Sequence, residues 1–172
     1  VSYLGQMNPQ ITPLMPVLVS PWLSIHVSLI MMSSALLAFI MLNGILALCL
    51  RKKESENNVS GNDAVQDNRI EQLTLVSRLL LYPATFFLGA GIFLGAVWAN
   101  VSWGRYWAWD PKEVWALITF LVYGVAFHSQ SLRIFRKPLF FHIYMILAFL
   151  TVLMTYFGVN YVLGGMHSYA NA

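Results

Sequence analysis

The sequence predicts an all-α, polytopic membrane protein with four transmembrane helices and an external loop rich in tryptophan. Of its 172 residues, 58% are hydrophobic and 10% are charged, whereas soluble domains contain about 25% charged residues. A helix needs about 20 apolar residues to cross a bilayer. Four uncharged stretches are long enough, namely residues 22–50, 79–101, 114–132 and 139–163. The alternative, a soluble helical protein, would have to bury all four stretches in one core.

The distribution of Lys and Arg predicts the orientation of these spans. Eight of the ten Lys and Arg residues lie between the first and second spans or between the third and fourth. The other two, Arg105 and Lys112, lie between the second and third. Because positive charge favours the cytoplasmic side, we expect the 102–113 loop and both ends of the chain to lie outside. The net charge of +3 is too small and too dispersed to predict binding to nucleic acid.

The connection between the first two spans, about residues 51–78, contains a polar insert. Glu54–Gln72 is rich in Asn, Asp, Glu and Ser, a composition that predicts a mobile cytoplasmic linker. Cys49 is the single cysteine, so an intrachain disulfide is excluded, and its apolar surroundings predict a buried, inert thiol. Gly91 and Gly95 form a GxxxG pattern, which predicts close packing between helices.

The loop between the second and third spans carries most of the tryptophan. Five of the six Trp residues fall between Trp98 and Trp115. One interpretation is an aromatic belt, since Trp and Tyr favour the membrane interface. The other is a flat apolar platform for a planar ligand, since stacked aromatic side chains offer large faces. The concentration at a single helix end favours the platform, and composition alone leaves both open.

The acidic residues of this loop have a structural explanation. In the run Asp110-Pro111-Lys112-Glu113, Asp110 is placed to cap the third span, with Pro at the first helical position and Glu at the third. Capping accounts for Asp110 and Glu113 without catalysis. Ser20 and Pro21 predict a similar start for the first span.

The four histidines divide between the two predicted sides. His26 lies about five residues into the first span, and His167 follows the Gly164-Gly165 break after the fourth, so both are expected near the Trp loop. His128 and His142 are expected near the inner face. A lone His in an apolar helix is usually a hydrogen-bonded core residue, but ionisable residues within membranes are also functional candidates. Two outer imidazoles beside one aromatic surface suggest ligation of haem iron.

At this point the chain resembles a known family. The run Trp103–Trp115 resembles the tryptophan-rich WWD signature of haem-handling proteins in cytochrome c biogenesis, and within them the CcsA/ResC branch, the system II cytochrome c synthetase. Supporting runs are residues 21–28, 156–161 and 167–170. The resemblance covers nearly the whole chain outside Glu54–Gln72. It predicts that residues 1–172 form a WWD haem-handling membrane domain and the C-terminal part of a longer chain, in keeping with the absence of Lys and Arg before residue 22.

The resemblance also implies roles for particular residues. It makes His26 and His167 the two axial ligands of the haem iron, and His128 a step on the haem route from the cytoplasm. His142 matches no family histidine, so we expect a structural role. The remaining haem-binding candidates are in the outer loop: Trp103, Trp107, Trp109, Asp110 and Arg105. Arg105 and Lys112 are placed either to pair with the haem propionates or to remain solvated loop charges.

The implied reaction is covalent attachment of haem b to apocytochrome c by a cytochrome c synthetase, or haem lyase, with no conventional catalytic acid or base. The implied partners are apocytochrome c, a CcsB/ResB-type membrane subunit that is separate or fused, a thiol-reducing protein and the lipid bilayer. The implied location is the bacterial inner membrane, with the Trp loop and the C-terminus in the periplasm. Two alternatives stay open: a subunit that delivers haem to a chaperone, and a haem-free structural subunit.

Overall fold

The computed structural model describes residues 21–57, 63–129 and 131–163, and no β-strand occurs within them. Short 3-10 turns connect the third and fourth α-helices, and the fourth α-helix continues as a π-helix. The elements in order are α1 (Pro21–Asn57), α2 (Asp63–Trp103), α3 (Pro111–Val125), 3-10 turns at Ala126–His128 and Arg133–Arg136, α4 (Pro138–Leu153) and the π-helix Met154–Leu163.

Three of these helices are long and apolar enough to cross a membrane. They comprise Pro21–Lys52, Asp67–Trp103 and Pro138–Tyr161, which correspond to the first, second and fourth predicted spans. The prediction of an all-α, polytopic membrane protein is therefore confirmed.

The helix at the third predicted span differs from its prediction at its end. It begins at Pro111, as the capping pattern predicts, but its α-helical part ends at Val125 after 15 residues, well before the end of the uncharged stretch at residue 132. The amide of Ala126 bonds back to the carbonyls of Tyr123 and Gly124, and the chain tightens into a 3-10 turn. Uncharged composition continues past this point, so hydropathy alone placed the end too late.

Most of the segment Glu54–Gln72, predicted as a linker, is helical. Helix α1 continues to Asn57, and α2 begins at Asp63. Ile70 and Thr74 are buried on one face of α2, while Asp67 and Glu71 are exposed on the other. Asp67 and Glu71 thus lie on the solvated face of an amphipathic helix, a pattern that composition does not distinguish from a linker.

The bundle core lies between α1, α2, α3 and α4. Its most deeply buried side chains include Leu37, Ile40, Leu81, Tyr123, Phe141 and Met145. Helices α1 and α2 pack closely at the GxxxG pattern, where a Cβ on Gly91 would lie 2.6 Å from Cδ1 of Ile30. The predicted role of that pattern in helix packing is confirmed. Cys49, predicted to be buried, is exposed on the outward face of α1, because the bundle buries only one side of that helix.

Candidate functional site

Helix α3 starts with a capping box that anchors the Trp loop. The Asp110 carboxylate accepts a hydrogen bond from the Lys112 amide at 3.1 Å. In return, Oε2 of Glu113 accepts from the Asp110 amide at 3.3 Å and from the Ala108 amide at 2.9 Å. The box satisfies backbone donors that would otherwise lack partners at a helix start. The predicted capping role of Asp110 and Glu113 is confirmed.

The loop does not present one flat aromatic surface. Trp98 and Trp103 meet edge to face, with centroids 4.9 Å apart and planes at 72°, and Trp107 and Trp109 do so at 6.0 Å and 88°. Trp109 has a left-handed backbone with φ of 56° and is 73% exposed. These Trp side chains therefore do not form a single flat surface. Edge-to-face pairing is a preferred arrangement of neighbouring rings, and here it turns successive indoles to face different directions.

His26 is held by α2 through two contacts. Its Nδ1 lies 2.7 Å from the carbonyl oxygen of Gly91. The edge of the ring lies over Gly95, where an added Cβ would stand 2.7 Å from Cε1 and 2.8 Å from Nδ1. A carbonyl can only accept, so Nδ1 carries the proton and, in the neutral ring, Nε2 carries the lone pair that a metal would use.

A cavity of about 260 Å³ opens beside this histidine. It is bounded by α1, α2, the Trp loop, the start of α3 and the π-helix. Residues lining it include Leu23, His26, Ile30, Met31, Gly95, Trp98, Trp107, Lys112, Glu113, Thr155 and Tyr156. Its volume falls just below the roughly 300–1,000 Å³ of typical small-molecule pockets. It can therefore accommodate the edge of a large planar ligand but not enclose the whole of one.

Among the described residues that line the cavity, Lys112 is the cation and Glu113 is the anion. They differ in how available their charges are to a ligand. Nζ of Lys112 donates to Oδ1 of Asn160 at 3.4 Å, and burial lowers the pKa of Lys112, with the Asp110 charge opposing that shift. The Glu113 carboxylate instead accepts two backbone N–H groups through one oxygen. The negative charge of Glu113 is therefore already compensated by the backbone N–H groups at the helix start. The wall is, for that reason, better suited to bind a ligand carboxylate than a ligand cation.

His142 and His128, the two histidines predicted near the inner face, do not line this cavity. His142 is 1% exposed, and its Nε2 lies 2.9 Å from Oγ1 of Thr74. Thr74 already donates its one hydroxyl proton to the carbonyl of Ile70. Nε2 of His142 therefore donates, and its Nδ1 is buried without a hydrogen-bond partner. His128 is exposed after the end of α3 and donates from Nδ1 to the Gly124 carbonyl at 3.2 Å.

The structure thus brings together only part of the predicted site. His26 and Trp107 line the cavity, Trp103 packs against the cavity residue Trp98, and Asp110 supports the wall through the cap. Arg105 and Trp109 are exposed, and His128 is at the other end of α3. His167 lies outside the described residues, so its predicted place beside His26 remains a prediction.

Sequence reasoning missed several cavity residues. Met31 and Tyr156 line the wall, and the Tyr156 hydroxyl contacts both Ser34 Oγ, at 3.1 Å, and Met31 Sδ, at 3.5 Å. The family resemblance included Tyr156, but no local signal connected it with His26. Only the packing of the π-helix against α1 shows that they line one cavity.

Comparison with known proteins places this geometry in context. The family model described as cytochrome C assembly protein matches residues 1–167. Protein NrfI of Wolinella succinogenes is 40% identical over 169 residues, covering 98% of this chain and 18% of NrfI. The cytochrome c biogenesis protein CcsA of Chlamydomonas reinhardtii is 40% identical over 162 residues, covering 93% of this chain and 44% of that protein. CcsA of Pyropia yezoensis is 36% identical over 194 residues, covering 92% and 60%. The chain therefore spans less than two thirds of the length of each of these relatives.

Proposed function

The chain belongs to the cytochrome c assembly protein family, and from that membership we propose that it presents haem to apocytochrome c in a cytochrome c synthetase. The observation that carries the proposal is the arrangement of His26. Its ring carries the proton on Nδ1 and the lone pair that could bind iron on Nε2, and it lines one cavity together with Trp107 and Lys112. An iron ligand, an aromatic wall and a cation match the iron, the macrocycle and the propionates of haem.

In this proposal the haem, haem b, is the substrate, and its iron is ligated by His26 and His167. His167 lies outside the described residues, and its part rests on the family resemblance. Trp103, Trp107 and Trp109 contact the macrocycle, and Asp110 holds the loop through the helix cap. Lys112, which lines the cavity, is the better candidate for a propionate partner than Arg105, which is exposed on the loop.

The proposed chemistry needs no conventional acid or base from the chain. Each of two cysteine thiols in a Cys-x-x-Cys-His segment adds across one vinyl group of the haem. A C–S bond forms, the vinyl C=C becomes a single bond, and the thiol hydrogen ends on the other vinyl carbon. Nothing leaves, and the addition requires no external oxidant. The chain contributes position and iron ligation, while the haem supplies the reacting groups.

The proposal assigns the other partners and the route of the substrate by family resemblance. Haem enters from the cytoplasmic half with the help of His128, a CcsB/ResB-type subunit completes the membrane complex, and a thiol-reducing protein keeps the apocytochrome cysteines reduced. The location proposed is the bacterial inner membrane, with the Trp loop in the periplasm. Support for this orientation comes from the excess of Lys and Arg in the other connections.

The orientation is tested by labelling single cysteines with a membrane-impermeant reagent in a Cys49→Ser background. Arg105→Cys and Ser168→Cys should be labelled in cells with a permeabilised outer envelope, and Ser60→Cys only after the inner membrane is opened. Labelling of position 60 but not of 168 before that step would reverse the orientation.

The function itself is tested on purified full-length protein, expressed with its membrane partner and an apocytochrome substrate. We expect a low-spin haem spectrum, a positive pyridine haemochrome assay, and apocytochrome that acquires covalent haem. Haem that is transferred without thioether bonds would instead identify a haem-delivery subunit. Purified protein without any Soret absorption, even after haem loading, would identify a structural subunit.

A further inference from the structure

We propose that Gly95 is a positioning residue for His26, and that its missing side chain sets the direction in which the imidazole meets its ligand. The inference rests on the proposed function, since it concerns the residue assigned there to the iron. It goes further by identifying what fixes the ring. The relevant contact is between α1, which carries His26, and α2, which carries Gly91 and Gly95.

The space above Gly95 is occupied by the ring itself. A Cβ at Gly95 would stand 2.7 Å from Cε1, 2.8 Å from Nδ1 and 3.5 Å from Nε2 of His26. Real Cβ atoms essentially never approach another heavy atom more closely than 3.0 Å. Any larger residue at position 95 therefore displaces the imidazole or separates the helices.

The ring cannot move aside without losing its hydrogen bond. Its Nδ1–H donates to the Gly91 carbonyl at 2.7 Å, one helical turn from Gly95 on the same face of α2. One turn of α2 thus supplies both a hydrogen-bond acceptor and a gap of matching shape. Together they fix the rotamer and the tautomer, and the hydrogen bond makes the opposite nitrogen more basic toward a metal.

The same helix offers a matched control for this role. A Cβ at Gly89 would meet the Phe120 side chain at 3.0 Å, so Gly89→Ala disturbs helix packing without contacting His26. Gly91→Ala cannot serve as a control, because the Gly91 carbonyl accepts from the His26 ring and a Cβ there would lie 2.6 Å from Ile30 on α1. An effect specific to the imidazole should therefore follow from Gly95→Ala and not from Gly89→Ala.

The experiment compares Gly95→Ala with Gly89→Ala in the full-length protein expressed with its membrane partner. We expect Gly95→Ala to lower haem retention by about 10- to 100-fold, the usual cost of disturbing a group that orients a metal ligand. Its remaining haem should lose low-spin character and regain it when imidazole is added. The control variant Gly89→Ala should keep the wild-type spectrum, whatever its effect on protein yield.

Several outcomes would overturn the inference. A Gly95→Ala protein with wild-type spectrum and haem retention would remove any role for Gly95 in positioning. Equal losses in Gly95→Ala and Gly89→Ala would reduce Gly95 to helix packing. These results leave the proposed function intact, whereas wild-type protein that never binds haem would remove the proposed function itself.

A double variant keeps the test decisive if Gly95→Ala fails to accumulate. Removing the ring removes the clash, so Gly95→Ala combined with His26→Gly should accumulate like His26→Gly alone. It should also retain no less haem than that single variant, because residues that act through one contact are not additive. A double variant that still fails to accumulate would show that Gly95 does not act through His26.

Discussion

His26 and His142 lie in apolar helices of the same bundle, yet their rings are held in opposite tautomers. His26 donates from Nδ1 to the Gly91 carbonyl, whereas His142 donates from Nε2 to Thr74. Their contact points on α2 are roughly 25 Å apart at a rise of about 1.5 Å per residue. The comparison shows that the hydrogen-bond acceptor of one ring nitrogen determines which nitrogen keeps the lone pair. Only that second nitrogen can ligate a metal.

The two histidines also differ in the surroundings of the nitrogen that carries the lone pair. At His26 the ring lines an open cavity together with Trp107. At His142 the remaining nitrogen, Nδ1, is buried in the core and has no hydrogen-bond partner among the residues that the structure describes. An intramembrane histidine is therefore a ligand candidate only where a cavity reaches its lone pair.

The largest difference between the two histidines is expected when each imidazole is removed by substitution with Gly. His26→Gly should abolish covalent attachment and lose the low-spin spectrum, and added imidazole should restore part of the ligation by filling the vacated space. His142→Gly should leave the spectrum of the haem that is bound unchanged. Spectra and covalent cytochrome c yield measure both effects, and a His26→Gly protein with full activity and no added imidazole would refute the ligand assignment.

For the free energy of unfolding, we expect the opposite order, with the larger effect at His142. His142→Ala removes a fully buried side chain and its hydrogen bond to Thr74, so we expect a loss of about 2–4 kcal/mol in the free energy of unfolding. His26→Ala, which borders a cavity, should cost clearly less. Thermal unfolding of the purified detergent-solubilised variants in haem-free form makes the comparison. A larger loss in His26→Ala would mean that His26 is the structural histidine.

The effect of each Trp on haem retention should depend on whether its side chain lines the cavity. Trp107 lines the cavity, whereas Trp109 is mostly exposed. We expect Trp107→Ala to lower haem retention by about tenfold, in line with about 1.5 kcal/mol for an aromatic contact, and Trp109→Ala to lower it less. Combining the two should lower retention without removing the protein from the membrane. Normal haem content in the double variant would reduce the cluster to an interfacial belt.

Loss of the helix cap should disturb the His26 site alone. Asp110→Ala removes the side-chain acceptor at the start of α3 and should cost about 0.5–2 kcal/mol. Asp110→Asn keeps an acceptor and serves as the control. Haem retention should fall in the first and largely persist in the second. The protection of a cysteine introduced in the core near His142, in a Cys49→Ser background, should hardly change. Equal loss in both variants would show that the Asp110 charge, and not the cap, matters.

The smallest effect is expected at Lys112 and depends on pH. Burial lowers the pKa of Lys112, so its ammonium loses its proton at a lower pH than an exposed lysine does. A carboxylate ligand then loses its ion pair as pH rises, and the advantage of wild type over Lys112→Gln in haem retention should shrink at a lower pH than it would for an exposed lysine. Stability has the opposite sign: because the folded pKa is below the unfolded one, the folded state gains stability as pH rises through it.

Arg105→Gln is the control for this titration. Its guanidinium stays protonated throughout, so its effect on haem retention should not vary with pH over the same range. Haem loss to an acceptor protein, measured from pH 6 to 10, provides the readout. A pH-independent Lys112→Gln effect would argue against a propionate contact through that ammonium.

The start of α3 shows how much a local pattern can predict. The residues at the N-cap, first and third helical positions are contiguous in the sequence, and their capping geometry follows from helix chemistry alone. The end of the same helix was misplaced, because uncharged composition continues beyond Val125 while the backbone tightens. Local hydrogen-bonding patterns are readable where the interacting residues are neighbours in the chain.

The candidate site was harder to predict because its key contacts join distant segments. Topology predicts that His26 lies near the Trp loop, and in the structure His26 and Trp107 line one cavity. Neither the tautomer of His26 nor the gap at Gly95 was visible in the sequence, since each depends on the register between α1 and α2. The flat platform was also wrong, because ring orientation depends on the left-handed turn at Trp109 and on the packing of neighbouring indoles.

The short length of α3 has a consequence for the surrounding lipid. Its 15 residues rise about 22 Å, and the 3-10 turn at Ala126–His128 adds about 6 Å, still less than the roughly 30 Å hydrocarbon thickness. Helix α2, with 41 residues, far exceeds that thickness. Hydrophobic mismatch of this kind is relieved by local thinning of the bilayer beside the shorter helix. We therefore expect the membrane to be thinnest where α3 meets lipid, so that the distance a substrate travels between the two aqueous phases is shortest along that face.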